Sequence, residues 1–239
     1  LYTSTIVSLI VVSCLPKTTN TMTLNEIKAC ILNWENIIKE GNSETIIHYL
    51  NQGFCFQITK SEYLKWKDKK PKNIHAYLGV YNNKLKFFII DSKSDKNGDF
   101  SDTILIKDFT YGIDPSEIIK PITLKKKITL TENQALDRSF RWHIRCKEWL
   151  QSIQNDPLKQ MFRVISIPFQ NYVQIFQSNT IVTNFFGLHK GKTNEALEIE
   201  IIVSNEYGEH KIPNEYKDLT VPVPPFSAQN SRIYFNLLD

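Results

Sequence analysis

The sequence predicts an α+β fold: N-terminal helices, then an antiparallel, curved sheet, then a second half built from a helix and more sheet. Three observations carry this. Apolar residues recur at helical spacing over 24–38 and 136–153. They alternate over 54–58, 74–91 and 197–203, as half-buried strands do. The order of elements is helix, helix, strands, then helix, strands, which argues for antiparallel sheet rather than a βαβ series. No internal repeat is evident between the halves at the level of residues. The chain has 239 residues, of which 41% are hydrophobic and 23% charged, so it can bury a core and is not of disordered composition.

The first 22 residues are read as a signal segment and tether. Residues 6–12 are apolar except for Ser8, too short a run to span a bilayer but suited to the core of an export signal. Val11-Val12-Ser13-Cys14 resembles the lipobox of bacterial lipoproteins, with Val in place of the usual Leu three residues before the cysteine. The resemblance implies lipid attachment at Cys14 and a location in the cell envelope of a bacterium, anchored to a membrane through the lipidated N-terminus. The polar, Thr-rich stretch 15–22 suits a tether. No later segment has the apolar length of a membrane helix, so a soluble body is expected behind the anchor.

The body reads as an α+β domain over 23–120 and a second α+β half over 121–239, with a boundary that leaves room for a single domain. Thr23 and Glu26 form a capping box ahead of Leu24, Ile27, Ile31, Trp34 and Ile38, and Gly41 ends the helix. Asn42 or Ser43 caps a second helix carrying Ile46, Ile47 and Leu50. Phe54, Phe56 and Ile58 alternate as a strand. One or two helical turns are expected over 61–68. Residues 74–91 are the clearest hairpin, turning at Asn82-Asn83. Residues 92–102 read as a polar loop, 103–111 and 122–130 as strands. A second capping box at Thr131 and Gln134 opens a helix to about residue 153, with Leu136, Phe140, Ile144, Trp149 and Ile153 as its inner side. Segments 161–169 and 172–176 look extended, 181–188 and 196–204 form a second hairpin, the Pro-rich 221–225 cannot be a central strand, and 231–238 reads as a closing strand.

Several motifs suggest chemistry and then fail a spacing test. GLHKGKT at 187–193 has three residues between its glycines where a phosphate loop needs four, and a strand follows it. Residues 91–99 resemble a calcium loop, but Lys93 occupies the first ligand position and Ile104 the twelfth. Asp95, Asn97 and Asp99 stay as the residues of a non-standard cation site. His143 and Cys146 lie three apart on one helix, the weak candidates for half a zinc site or a Cys–His pair. His48, His75, His189 and His210 read as structural or solvated. No metal ligand set, catalytic set or cofactor motif emerges, and the balance leans away from an enzyme. Once Cys14 is lipidated, Cys30, Cys55 and Cys146 remain, and they read as buried free thiols. The net charge of +4 is mild. Lysines cluster at 65–72 and 125–127, which fits a solvated face or one toward anionic head groups better than nucleic acid.

Ile31, Trp34, Ile38, Gly41, Asn42, Ile46, Tyr49, Leu50, Phe54 and Phe56 together resemble the opening of ketosteroid-isomerase-like (SnoaL-like) domains. That resemblance implies two helices leading into one curved sheet around a pocket. It brings no catalytic residue with it, since 54–57 (FCFQ) holds no acid. The sequence thus favours an envelope lipoprotein with a binding role toward a small apolar ligand or a protein. The alternatives are a pocket enzyme of that family and an interaction or immunity-type module acting through 65–72.

Overall fold

A computed structural model describes residues 22–111, 130–155, 161–177, 179–191, 197–205, 216–217, 221–223 and 235–238. The fold is α+β. Its elements are α1 (Leu24–Glu40), α2 (Ser43–Leu50), β1 (Cys55–Thr59), α3 (Lys60–Lys67), β2 (Asn73–Tyr81), β3 (Lys84–Asp91), α4 (Ser92–Asn97), β4 (Leu105–Asp108), α5 (Glu132–Gln154), β5 (Val164–Pro168), α6 (Phe169–Ile175), β6 (Ile181–Lys190), β7 (Leu197–Asn205), β8 (Tyr216–Lys217) and β9 (Val221–Val223), with a 3-10 turn at Asn236–Leu238. Two antiparallel sheets result, ordered β1-β6-β7-β8 and β4-β3-β2-β5-β9.

Side-chain alternation sorts the layers. Ile74, Ala76 and Leu78 on one face of β2 join Phe56, Ile58, Val182 and Phe186 of the other sheet in the main core. Tyr77 faces the opposite way and packs with Ile27, Cys30 and Ile31 of α1. On the other sheet, Cys55, Phe185 and Ile202 face outward toward Ala135 of α5. The two sheets therefore lie face to face, with α1 covering one and α5 the other. Between the sheets Phe56 and Phe87 stand 4.5 Å apart, Phe87 and Phe186 6.0 Å, and Phe109 and Phe186 5.6 Å. Aromatic rings thus meet in the layer between the two sheets. The helix–helix–strand opening is present, but β1 joins a different sheet from β2, β3 and β4.

The two halves repeat one arrangement, against the expectation that they share none. The pairing β1–β6 sets Phe56 opposite Asn184 and Ile58 opposite Val182. The pairing β5–β2 sets Ile165 opposite Ala76 and Ile167 opposite Ile74, in the same register. The Lys60 N–H donates to the Thr180 carbonyl (2.7 Å), and the Phe169 N–H to that of Lys72 (3.1 Å). Each half keeps a hairpin in one sheet (β2–β3 or β6–β7) and contributes its first strand to the other. Each also returns to that other sheet later: Thr110 bridges Cys55, and β9 pairs with β5. The helices correspond at a separation of 108 positions. Thr23 matches Thr131 as capping-box residue, Trp34 matches Trp142, both buried, and Gly79 matches Gly187 beneath the helices. Neither half holds a complete sheet, and one core cluster runs from Trp34 to Val203.

Several local expectations are corrected. The segment after β3 is a short helix, not a loop, because Asp91 caps it through the Lys93 and Ser94 N–H groups and Gly98 ends it in the left-handed region. Residues 169–175 are helical rather than extended. On α5 the inner side is Ala135, Ser139, Trp142, Cys146, Trp149 and Leu150, while Phe140 and Ile144 are 59% and 60% exposed. Small residues at 135, 139 and 146 let the helix lie close on its sheet. Residues 236–238 form the 3-10 turn, not a strand. The hairpin 73–91 turns at Asn82 (φ 49°) and Asn83 (φ 58°), as read from the sequence. Val221–Val223 is an edge strand. The expected signal segment with Cys14, residues 122–129 of the expected strand 122–130 and the lysines 125–127 lie outside the described residues.

Candidate functional site

Two features stand out from the hydrophobic frame: a buried polar cluster and an exposed basic corner next to it. The cluster begins on β2. His75 and Tyr77 project from the same outward face toward α4 and the C-terminal turn. Asp95 of α4 is fully buried. His75 Nδ1 lies 2.6 Å from Asp95 Oδ2, and the Tyr77 hydroxyl donates to that same oxygen. The other carboxylate oxygen accepts from the Asn236 N–H at 3.1 Å. Asn236 Nδ2 also donates to the carbonyls of Asp95 (2.8 Å) and Lys96 (3.0 Å). The Phe235 ring lies 4.6 Å from the His75 ring. A buried carboxylate is costly unless fully hydrogen-bonded, and here three donors meet it. The cluster therefore fastens the C-terminal turn onto β2 and α4.

Asp91 is the second buried acid. It caps α4, accepts from the Ser94 hydroxyl at 2.6 Å and pairs with Lys69 at 3.4 Å. Lys69 also donates to Ser94 Oγ at 2.7 Å, and Lys93 Nζ donates to the Lys69 carbonyl at 2.6 Å. These contacts bring the segment after α3 against α4. The side chains of Lys65, Lys67, Lys70, Lys72 and Lys93 are exposed at this corner. Glu62 is not available to neutralise them. It caps α3 at Thr59 and pairs with Lys107 at 2.6 Å. Although burial acts to raise its pKa, the hydrogen bonds from Lys107 and Thr59 outweigh that and hold it below the usual carboxylate value. Trp66 points inward, edge-on to Tyr172 at 6.0 Å, while Leu64 is 47% exposed among the lysines.

The repeated arrangement supplies an internal comparison. Helices α3 and α6 occupy equivalent places and pack on each other through Tyr63, Phe169 and Phe176. Residues 60–72 contain six lysines, whereas the matching 169–180 contain no charged residue. Lysines near the end of a helix favour its dipole. Yet α6 has no basic residue in its last turn. Lys69 is tied to buried Asp91 and Lys60 donates to the Phe176 carbonyl, but the exposed Lys65, Lys67, Lys70 and Lys72 are not a requirement of this local fold.

The residues singled out in the sequence do not converge on chemistry. Cys146 is buried in the main core, and burial pushes its thiol up to about 12. Cys55 is likewise pushed up to about 11, by burial first of all. Such thiols remain protonated and are poor nucleophiles. His143 is exposed and stacks on Phe54, with ring centroids 5.0 Å apart. Of the suggested cation residues, Asp95 turns inward to His75 and Tyr77, while Asn97 and Asp99 stay exposed. Among the described residues no group of three or more His, Cys, Asp or Glu could hold a metal ion. No described helix is long and apolar enough to cross a membrane. Sequence reasoning missed the His75–Tyr77–Asp95–Asn236 cluster. Its one local signal was Asp91 followed by Gly98, a cap and a stop that place Asp95 on a helix.

No protein-family model, curated protein or solved structure matches the chain.

Proposed function

We propose that the chain is a non-enzymatic binding module, held at a bacterial membrane through lipidated Cys14 and acting through its lysine corner. The observation that carries the reading is the contrast between 60–72 and 169–180. Two segments hold equivalent places in the fold, and only one carries exposed lysines, at 65, 67, 70 and 72. Charge that the fold does not need is charge left for a partner. The buried acids fit this reading, because Asp91 and Asp95 are engaged in fastening α4 and the C-terminal turn.

The anchor is tested by expressing the chain in a bacterial host with a labelled fatty acid. Label should enter the wild-type protein and be lost in Cys14→Ala, which should also leave the membrane fraction. An unlabelled wild-type protein in the soluble fraction would overturn the anchor.

A further inference from the structure

We infer that the corner formed by Lys65, Lys67, Lys70, Lys72 and Lys93 rests on an anionic lipid surface, with Leu64 entering the head-group layer. The inference deepens the proposed binding role and depends on that role being carried by the corner, but it does not depend on the lipid at Cys14.

Four features favour a bilayer over other anions. Among the described residues every cation at this corner is a lysine, whereas the arginines at 138, 141 and 163 are engaged elsewhere with Glu200, Asp137 and Glu35. Lysine is a flexible point charge suited to a diffuse field. A site built for a defined phosphate favours the planar, bidentate fork of arginine. Asp68 is the one exposed acid of 60–72, since Glu62 is taken by Lys107. Leu64, next to Lys65 on α3, is 47% exposed, an apolar side chain offered to solvent beside the lysines. The aromatic residues of the segment, Tyr63 and Trp66, are buried, so no ring is offered for stacking on nucleic-acid bases.

The test uses the full chain carrying Cys14→Ser, so that no lipid contributes, in co-sedimentation with vesicles. One set contains phosphatidylcholine alone; in the other a third of the lipid is phosphatidylglycerol. Binding is expected to the anionic vesicles only, and to weaken as salt is raised. Each lysine should contribute about fivefold, so K65Q/K67Q/K70Q/K72Q should lower the affinity by a factor on the order of several hundred. Leu64→Gln should lower it about tenfold and leave the salt dependence unchanged. The control K39Q/K84Q/K147Q removes the same kind of charge from exposed sites on α1, the far end of β3 and α5, and should bind as the parent does. Equal binding by the quadruple variant and its parent would overturn the inference. So would equal binding to neutral vesicles, or tighter binding to a DNA duplex or to polyglutamate at the same salt. If wild-type Cys14 proves unlipidated while the Cys14→Ser chain binds anionic vesicles, the anchor fails and the surface stands.

Discussion

Replacing Gly79 by alanine would set a methyl group 2.6 Å from Phe88 Cε2, 2.9 Å from the Cys30 carbonyl carbon and 3.0 Å from its oxygen. Two of these atoms are backbone of α1, so relief requires the helix to lift from β2. The same change at the equivalent Gly187 meets Ile202 Cδ1 at 2.8 Å, with Arg138 Cβ and Glu200 Oε1 at 3.3 Å. The near contact there is the end of a flexible side chain. Overpacking that a rotamer cannot relieve costs about 1–3 kcal/mol. Against this, alanine stabilises by about 0.4–1 kcal/mol through a less flexible unfolded chain. Gly79→Ala should therefore lose about 1–2 kcal/mol net. Gly187→Ala should stay within about 0.5 kcal/mol of the parent. In a chain of this size 1 kcal/mol moves Tm by about 2–4 °C. Thermal unfolding followed by circular dichroism, with urea midpoints alongside, would read the difference directly. If Gly187→Ala destabilised as much as Gly79→Ala, the contrast between backbone contact at Gly79 and side-chain contact at Gly187 would be wrong.

Three further outcomes follow from the packing. A protease site inserted between residues 111 and 130 should leave the cleaved halves together on native size exclusion, because β1 and β5 each pair with the other half; Phe185→Cys, opposite Cys55 and with the other cysteines replaced, should then join the two pieces by a disulfide. Separation of the pieces on native size exclusion would refute this. Asp95→Ala leaves His75, Tyr77 and the Asn236 N–H without their acceptor, so it should cost about 3–5 kcal/mol and speed carboxypeptidase removal of 235–238; unchanged digestion would count against the cluster as the fastening. Cys55 and Cys146 ionise in the folded chain near about 11 and about 12, against an ordinary 9.0, so folding favours their protonated form. Their contribution is fully present below pH 9 and lost as the pH rises through those values; Cys146→Ala should flatten the alkaline fall seen in urea midpoints, and an unchanged slope would exclude the thiol as its cause.

The helices of the first half were legible because their signals are local. Thr23 and Glu26 cap α1, Asn42 caps α2, and Asn82-Asn83 turn the hairpin without help from distant residues. The inner side of α5 was misread because Phe140 and Ile144 are more apolar than the Ala135, Ser139 and Cys146 that face the sheet. Hydrophobicity alone ranks those positions wrongly; what selects the small residues is the close approach of the helix over Gly187. The information was nevertheless in the sequence. Aligning Thr23 with Thr131 carries Ile27, Ile31 and Trp34 onto Ala135, Ser139 and Trp142, the correct inner side. Strand exchange was not legible, since either partner satisfies the alternation of β1. The polar cluster was not legible either, because His75, Asp95 and Asn236 meet only when three separate segments have folded.

The repeat also separates what the fold requires from what was added to it. Positions that agree between the halves, namely the threonine caps, the buried Trp34 and Trp142, the close-approach glycines and the paired tyrosines Tyr63 and Tyr172, are those on which packing depends. Lys65, Lys67, Lys70 and Lys72 have no charged counterpart in 169–180, and their side chains are exposed. Converting Lys65, Lys67, Lys70 and Lys72 to glutamine moves this segment toward the uncharged character of 169–180, which already folds in the equivalent place. Loss of favourable dipole interactions at the end of α3 should cost about 0.3–1 kcal/mol for each of the two lysines in its last turn. Relief of lysine–lysine repulsion offsets part of that. The quadruple variant should therefore melt within about 5 °C of the parent while losing its attraction to anions. A variant that unfolds instead would mean that the lysines support α3, and the contrast between the two segments would then carry no information about a partner.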